Sequence, residues 1–322
     1  MTHELSPATN PAYIQTALRE ALQQPDLKLR DLELLRHKPG RRALIAYTIA
    51  RPGQPLQTLL GKQRIKGVDK HGYHIQRALW QQGFDLPGLA VPEALALLPD
   101  ARLWLQRKAA GEPATRYLTP DSPPALWARI GAAIASLHRT NITTERRWNI
   151  ADELALLHDR LNKAAALHPL LTERITALLP ALDALGATLA DRPACGIHRD
   201  CYPDQILVAD AGAHLTWLDL DLYCHGDPAL DVGNFLAHMT EHALRHYGDA
   251  AALAAQENAL QQHYQQETGT SSEAIAAWTT LALARHIYLS TQFPERHHTT
   301  APLLALCREH NLTNDDDRHK PR

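Results

Sequence analysis

The stretch that decides the fold of this chain is Gly196-Ile197-His198-Arg199-Asp200-Cys201-Tyr202-Pro203-Asp204-Gln205-Ile206-Leu207-Val208. A side-chain amide follows Asp200 by five residues and stands directly before an apolar run. A second apolar run ends at Asp219, and Gly226-Asp227-Pro228-Ala229-Leu230-Asp231 then opens a predicted helix. The turn residues at 209–213 predict a hairpin between the two runs, at residues 206–208 and 215–218.

The polar residues of this stretch have the chemistry that phosphoryl transfer requires. A carboxylate must orient the attacking hydroxyl and accept its proton, and oxygen ligands must hold Mg²⁺ on the nucleotide phosphates. Asp200 can serve as that carboxylate, and Gln205 and Asp219 can supply ligand oxygens. One aspartate in a loop is usually a turn or cap residue, so the prediction depends on the joint spacing of the whole set.

That spacing resembles the catalytic segment of the aminoglycoside phosphotransferase and choline kinase-like superfamily of small-molecule kinases. The resemblance spans about residues 30 to 240, and its specific part is residues 196–231. It implies ATP and Mg²⁺ as cofactors, a hydroxyl acceptor, and the following roles: Asp200 as catalytic base, His198 as the residue that orients its loop, Gln205 and Asp219 as metal ligands, and Asp231 as the structural acid that braces the loop.

The region before this segment is predicted to form a small sheet. Short runs at residues 32–36, 43–50 and 58–65, separated by Pro-Gly turns, predict a three-stranded antiparallel meander. Its third strand carries Lys62, Arg64 and Lys66 at period two, on one face. By the resemblance, Lys62 contacts the α- and β-phosphates, with Arg64 as the alternative.

Two further parts of this region are placed by the same resemblance. The turn at residues 38–42 lies where such kinases cover the phosphates, although it contains a single glycine, Gly40. Residues 103–107 predict a strand, and Gln106 near its end is expected at the nucleotide, where the backbone of the hinge meets the adenine edge.

Ala- and Leu-rich stretches with helical periodicity follow, at residues 123–139, 150–166, 170–190, 229–246, 250–266 and 272–290. The predicted fold class is therefore α+β, and the resemblance makes it a bilobal protein-kinase-like fold. The N-lobe, residues 1–107, contains the nucleotide-covering antiparallel sheet and one helix. The larger, mainly helical C-lobe, residues 108–322, contains the catalytic loop and the acceptor site, and ATP is expected between the lobes.

The charge and cysteine composition limit the kinds of partner and cellular location that are expected for the protein. The 33 Lys and Arg against 35 Asp and Glu give a net charge of −2, which argues against a nucleic-acid binder. Because the sequence has no apolar stretch of membrane-spanning length and no signal peptide, a cytoplasmic protein without membrane attachment is expected. Its four cysteines form no Cys-x-x-Cys pair, so they are predicted to be reduced thiols.

Two departures from the family pattern leave a second function open. Gln205 stands where such kinases usually have Asn, and residues 72–82 contain no Glu to pair with Lys62, since the nearest acid is Asp69. The alternative is a nucleotide-binding pseudokinase with a regulatory role. Residues 229–300 contain seven acidic residues and three arginines. For an active enzyme, this charge balance is compatible with a sugar, an amino alcohol or an aminoglycoside-like acceptor.

Two other features have alternative interpretations. Asp221 is either a further acid of the metal site or a surface residue. His238, His242 and His246 share one face of a predicted helix, but the first and last lie two turns apart, roughly 12 Å along the axis. Because zinc ligands must converge about 2 Å from the metal, ordinary histidines are favoured there over a metal site.

Overall fold

The computed structural model describes residues 5–86 and 88–318. The chain forms two compact units, which are described separately. The first consists of the chain up to Glu112 together with Leu207–Leu222, and the second consists of Pro113–Ile206 and the chain after Leu222. The predicted lobe boundary after residue 107 stays a prediction. Among the described residues, every helix is too short or too polar to span a bilayer.

The first unit is built mainly from strands. Its elements, with β8 at its boundary, are α1 (Pro11–Ala21), β1 (Lys28–Lys38), β2 (Arg42–Ala50), β3 (Gln57–Arg64), α2 (Lys70–Gln81), β4 (Asp85–Leu86), β5 (Leu89–Ala90), β6 (Ala94–Leu98), β7 (Leu103–Arg107) and β8 (Glu112–Pro113). The second unit begins with helices α3 (Pro124–His138), α4 (Ile150–Leu167) and α5 (Thr172–Ala187).

The remaining elements follow the catalytic stretch. They are β9 (Cys195–Ile197), β10 (Ile206–Ala209), β11 (His214–Trp217), β12 (Cys224–Gly226), α6 (Ala229–Tyr247), α7 (Ala254–Thr268), α8 (Ser272–Gln292) and α9 (Thr300–Arg318). Strands β9 and β12 form an antiparallel pair in the second unit. The predicted α+β class, with an antiparallel sheet first and helices afterwards, is confirmed.

The main sheet of the first unit has the strand order β1-β2-β3-β7-β6, and all of its pairs are antiparallel. Alternation along β2 buries Ile45, Tyr47 and Ile49 completely on one face. Helix α1 packs on this face and buries Ile14 and Leu18 in the same core. The predicted meander is therefore confirmed, and this core fixes the register that places the side chains of β3.

The structure corrects three details of the sequence prediction. Strand β3 ends at Arg64, so Lys66 lies in an exposed turn and does not share the face of Lys62. Strand β6 and helix α9 had no predicted counterpart. In β6 the run Ala94-Leu95-Ala96-Leu97-Leu98 lacks the alternation of apolar and polar residues that would predict a strand. Its strand conformation is stabilised by pairing with β7.

Helices of the second unit line an open cavity of about 420 Å³ with Glu257 of α7 in its wall. Burial raises the pKa of Glu257 to about 7, although the Thr240 hydroxyl donates a hydrogen bond to its Oε1 at 3.0 Å. Because the pKa is higher in the folded state than its ordinary value of 4.5, this group's contribution to stability is full below pH 4.5 and is lost as the pH rises through 7.

We therefore expect Glu257→Gln to stabilise the protein at pH 8 by about 1 kcal/mol, after a discount for partial solvent exposure, and to have little effect at pH 4.5. Urea unfolding of both proteins at the two pH values measures this difference. Asn258→Ala, which changes another residue of the same cavity without removing an ionisable group, is the control and should not change the pH dependence. Equal effects of Glu257→Gln at both pH values would contradict the prediction.

Candidate active site

Lys62 lies at the centre of an ion-pair cluster in the first unit. Its Nζ is 2.7 Å from Oδ1 of Asp219 and 2.7 Å from Oδ1 of Asp221. Burial lowers the pKa of Lys62, but the two carboxylates outweigh this effect and leave the pKa above its ordinary value. Burial raises the pKa of Asp219, and Lys62 more than offsets it, so that this pKa falls to about 2. Lys62 and Asp219 are therefore both charged at neutral pH.

The backbone explains why these groups meet. Alternation along β3 turns Leu59, Gly61 and Gln63 into the core and leaves Lys62 and Arg64 on the other face. Asp219 follows β11 with a left-handed φ of 53°, which is unusual for a residue with a side chain. A side chain at Gly72 of α2 would place its Cβ 2.9 Å from Asp221 Oδ1, so glycine there lets the helix approach the acid.

Arg64 takes part in the same network on the side of α2. It pairs with Asp221 through one guanidinium nitrogen, and its Nε lies 3.1 Å from Asp69 Oδ2. Asp69 is also the N-cap of α2, since its Oδ1 accepts from the Gly72 N–H at 3.1 Å. Of the two interpretations of Asp221, the structure excludes the surface residue: Asp221 is 6% exposed, and it supplies Lys62 with the carboxylate that α2 does not carry.

We expect Asp221→Asn to lower kcat about tenfold to a hundredfold, because Lys62 loses a buried carboxylate and Arg64 loses one of its two acidic partners. The matched control is Asp69→Asn, which removes a carboxylate from the same network but not from Lys62. Steady-state kinetics of both variants, with urea unfolding to separate activity from stability, measure the difference. Equal losses in the two variants would show that Asp221 acts only through general stability.

A small cavity of about 100 Å³ opens beside this cluster. Four basic side chains and two acidic ones line it together with three other residues, namely Arg36, Arg42, Lys62, Arg64, Asp219, Asp221, Ala43, Leu44 and Gln63. Sequence reasoning missed Arg36. It placed Arg42 in the turn that follows β1 and did not single the residue out, because the turn lacks the glycines that usually mark a phosphate-covering loop. The register of β1 and β2 brings these two arginines to the cavity.

Gln106 lies elsewhere in the first unit. It is buried in β7, and its Oε1 accepts a hydrogen bond from Gln76 Nε2 at 3.1 Å. Gln76 also donates to the Pro92 carbonyl at 2.6 Å. The Gln106 side chain therefore ties β7 to α2, and its predicted place at the nucleotide depends on the backbone that follows the strand.

The catalytic loop belongs to the second unit and is held by Asp231. The backbone N–H of His198 donates to Asp231 Oδ2 at 2.7 Å, and that of Arg199 donates to Oδ1 at 2.7 Å. Arg199 has a left-handed φ of 69°, and its guanidinium lies 3.4 Å from the centre of the Trp148 ring. A carboxylate that binds two successive amides can stabilise such a strained turn.

Asp231 is itself positioned by residues that the sequence did not single out. It is fully buried, and His138 Nε2 donates to its Oδ2 at 2.9 Å. The other ring nitrogen of His138 lies 3.0 Å from the Tyr264 hydroxyl. His138 ends α3, far from the motif in sequence, so no spacing signal could have identified it.

The loop presents two acceptor groups. The Asp200 carboxylate is half-buried, and among the described residues it has no hydrogen-bond partner. The same holds for the side-chain amide of Gln205, which is 7% exposed in the short turn Pro203–Gln205. His198 is completely buried beneath the loop. These positions suit a base and a metal ligand that remain available to a ligand.

The histidine-rich face of α6 is occupied by ring contacts. His238 stacks on Tyr202 with ring centres 4.6 Å apart, and His242 lies 4.2 Å from His246. Within residues 5–86 and 88–318, no three His, Cys, Asp or Glu side chains converge in the way a metal ion requires. These histidines are therefore engaged in contacts with neighbouring rings, and their interpretation as ordinary histidines stays a prediction.

A sequence profile of a family described as "phosphotransferase enzyme family" matches residues 72–272. No curated protein sequence matches the chain.

Three solved structures illustrate the likeness in fold. Choline kinase LicA from Streptococcus pneumoniae is 13% identical, with a TM-score of 0.61 over 94% of this chain and 98% of that one. Choline kinase from Cryptosporidium parvum is 11% identical, with a TM-score of 0.59 over 95% and 96%. An aminoglycoside phosphotransferase from Streptomyces rimosus is 16% identical, with a TM-score of 0.51 over 84% and 97%. The kinase-like fold predicted from the motif is confirmed.

Proposed function

The chain belongs to the phosphotransferase enzyme family, and on that premise we propose that it transfers the γ-phosphoryl group of ATP, with Mg²⁺, to a hydroxyl group of a small molecule. One observation carries the proposal. Lys62 is held 2.7 Å from two carboxylates at a cavity that Arg36 and Arg42 also line. Basic side chains beside metal-binding carboxylates match the charge of a nucleotide triphosphate with its metal.

The first unit supplies the charges that hold phosphates. Lys62 is fixed by two ion pairs and can exchange part of that pairing for phosphate oxygens without moving its backbone. Arg36 and Arg42 extend the positive lining where other kinases use backbone N–H groups of a glycine-rich loop. Asp219 keeps its negative charge at any pH above about 2 and is therefore ready to bind a cation.

Asp219 and Gln205 fit Mg²⁺ by their chemistry. Both offer oxygen, the ligand that Mg²⁺ prefers, and the Gln205 amide has no competing hydrogen bond among the described residues. When bound, the metal neutralises charge on the transferring group. Gln205 keeps the amide oxygen that Asn would offer and carries it one methylene further from the backbone.

Asp200 is the proposed base. Its carboxylate accepts the proton of the acceptor hydroxyl as the new O–P bond forms and the bond from the γ-phosphorus to the bridging oxygen breaks, which leaves ADP. His198 and Asp231 act through the backbone, because the two amides bound to Asp231 fix the loop that carries Asp200. The reaction needs no covalent intermediate on the protein, and its use of ATP suits a cytoplasmic enzyme.

Incubation of the protein with γ-labelled ATP, Mg²⁺ and a panel containing a sugar, an amino alcohol and an aminoglycoside tests the proposal. We expect label transfer to at least one acceptor class and loss of transfer when EDTA removes the metal. Nucleotide binding without transfer to any acceptor would instead support the pseudokinase alternative. One of the two features behind that alternative is weakened, since Asp221 gives Lys62 the carboxylate that α2 lacks.

A further inference from the structure

A group of basic side chains in the second unit surrounds one side of the catalytic loop. Arg245 of α6, Arg285 of α8 and Arg296 of the turn Pro294–Thr299 lie around His238 and His286, whose ring centres are 4.4 Å apart. We call these five residues the basic cluster. All three guanidiniums are partly exposed, with 22 to 28% of each side chain accessible. They are therefore within reach of a ligand.

Direct contacts join the basic cluster to the loop that carries Asp200. The Tyr202 ring, two residues beyond Asp200, stacks on His238 with an angle of 20° between the ring planes. Asn234 donates a hydrogen bond from Nδ2 to the Cys201 carbonyl at 2.7 Å, and its Oδ1 accepts from Arg285. The cluster thus lies next to the position where the acceptor hydroxyl must meet Asp200.

The charges around this part of the loop favour an anion. The three cluster arginines contact two buried carboxylates. Glu241 pairs with Arg245 at 3.0 Å and Arg296 at 4.0 Å, and Glu153 lies 3.4 Å from Arg285. The cluster therefore has one positive charge more than the carboxylates that it contacts.

Three of the acidic residues in the segment 229–300 have their contacts with residues outside the basic cluster. Asp231 binds His138 and the loop amides, Glu257 contacts Thr240, and Glu267 pairs with Arg139 on the surface. Of the seven acids in that segment, Glu241 is the one that contacts a cluster arginine in the described part of the chain. All three arginines of the segment, in contrast, belong to the cluster.

The histidines of the cluster add neutral hydrogen-bonding groups. Burial, the neighbouring histidine and the three arginines keep the pKa of His238 well below its ordinary value, and burial with the same arginines lowers that of His286 to about 3. The His286 Nδ1 is buried and has no hydrogen-bond partner among the described residues. Uncharged imidazoles beside guanidiniums can donate to oxygen without the cost of another buried positive charge.

We propose that the acceptor carries a carboxylate or phosphate group, which the basic cluster binds while Asp200 engages the acceptor hydroxyl. This inference rests on the proposed function, since it names the substrate class of that site. A cationic acceptor is disfavoured, because an ammonium group would face the guanidiniums while Glu153 and Glu241 are already paired.

Binding of three matched open-chain polyols tests the proposal. Gluconate is the anion, sorbitol the neutral molecule and N-methylglucamine the cation, and ligand-observed NMR or calorimetry gives each Kd. We expect gluconate to bind at least tenfold more tightly than N-methylglucamine, with sorbitol between them, and this ratio to fall as salt screens the charges. Gluconate binding no tighter than that of N-methylglucamine, including no binding of either, overturns the proposal.

Substitutions of the cluster arginines test whether the anionic group binds at the basic cluster. Arg296→Gln should reduce the ratio of gluconate to N-methylglucamine affinity about tenfold, because one guanidinium contact to the anion is lost. Arg285→Gln should act in the same direction, but it also breaks contacts to Asn234 and Glu153. If Arg285→Gln does not fold, the result for Arg296→Gln is decisive. Arg139→Gln, which removes an exposed pair with Glu267, is the control and should leave the ratio unchanged.

An unchanged ratio in Arg296→Gln places the anion elsewhere and overturns the assignment to the cluster. Because these measurements record binding and need no turnover, they stay readable if the protein transfers no phosphate. A failure of the proposed function appears in the labelled-ATP assay, whereas a failure of this inference appears in the binding ratio.

Discussion

Replacement of Asp200 by Asn is expected to lower kcat about a thousandfold and to leave nucleotide binding nearly intact. The side chain keeps its size and can still accept one hydrogen bond, but it can no longer take the proton of the acceptor hydroxyl. Asp200 is half-buried and makes no hydrogen bond to the described residues, so its loss breaks no protein contact. The folded structure and its stability should therefore be preserved.

Single-turnover phosphoryl transfer measures the rate, and calorimetric titration with an ATP analogue measures binding. Asp204→Asn is the matched control. Asp204 is exposed in the same loop and contacts only Thr115 among the described residues, so we expect a change of less than twofold. A rate in Asp200→Asn within tenfold of the unchanged protein would remove Asp200 from the proposed mechanism.

The largest effect on stability is expected from Asp231→Ala. This substitution leaves the amides of His198 and Arg199 and the ring of His138 without their acceptor at a site that is fully buried. Because buried donors without partners lose most of their solvation, we expect a loss of about 3–5 kcal/mol in the free energy of unfolding. Activity should fall as well, since the backbone that positions Asp200 is released.

Urea unfolding measures the stability, and hydrogen exchange of the His198 and Arg199 amides measures the local effect. Asp231→Asn keeps one carbonyl oxygen and should have an intermediate effect. If Asp231→Ala unfolds globally, exchange in Asp231→Asn still reports on the loop. Unchanged protection of both amides in that variant, together with full activity, would show that Asp231 does not brace the loop.

The ion pair of Lys62 connects two sequence features that were considered separately. Sequence reasoning found no acid on α2 for Lys62 and left Asp221 open between a metal ligand and a surface residue. In the fold, the close approach of α2 at Gly72 brings the segment after Asp219 beneath Lys62, and Asp221 supplies the carboxylate. An ion pair between residues 159 positions apart depends on packing, which a local pattern does not encode.

The charges around the proposed acceptor site also depend on tertiary structure. Counted along residues 229–300, acids outnumber arginines, and this balance permits a cationic acceptor. The structure places Asp231 on the loop amides and Glu267 in a surface pair with Arg139, and it brings Arg245 and Arg296 together at Glu241. Only three-dimensional neighbours decide which charges a ligand meets, because charge interactions fall off with distance in space and not along the chain.

The sequence by itself determined the fold class, the main strands and most helices, and the loop that carries Asp200. Periodicity fixes which face of β2 or α1 is buried, and motif spacing fixes the order of Asp200, Gln205, Asp219 and Asp231. The tertiary structure alone decided that Asp221 pairs with Lys62, that His138 supports Asp231, and that Arg245 and Arg296 meet at Glu241. These contacts join residues far apart in the chain, and long-range packing forms them where no local preference acts.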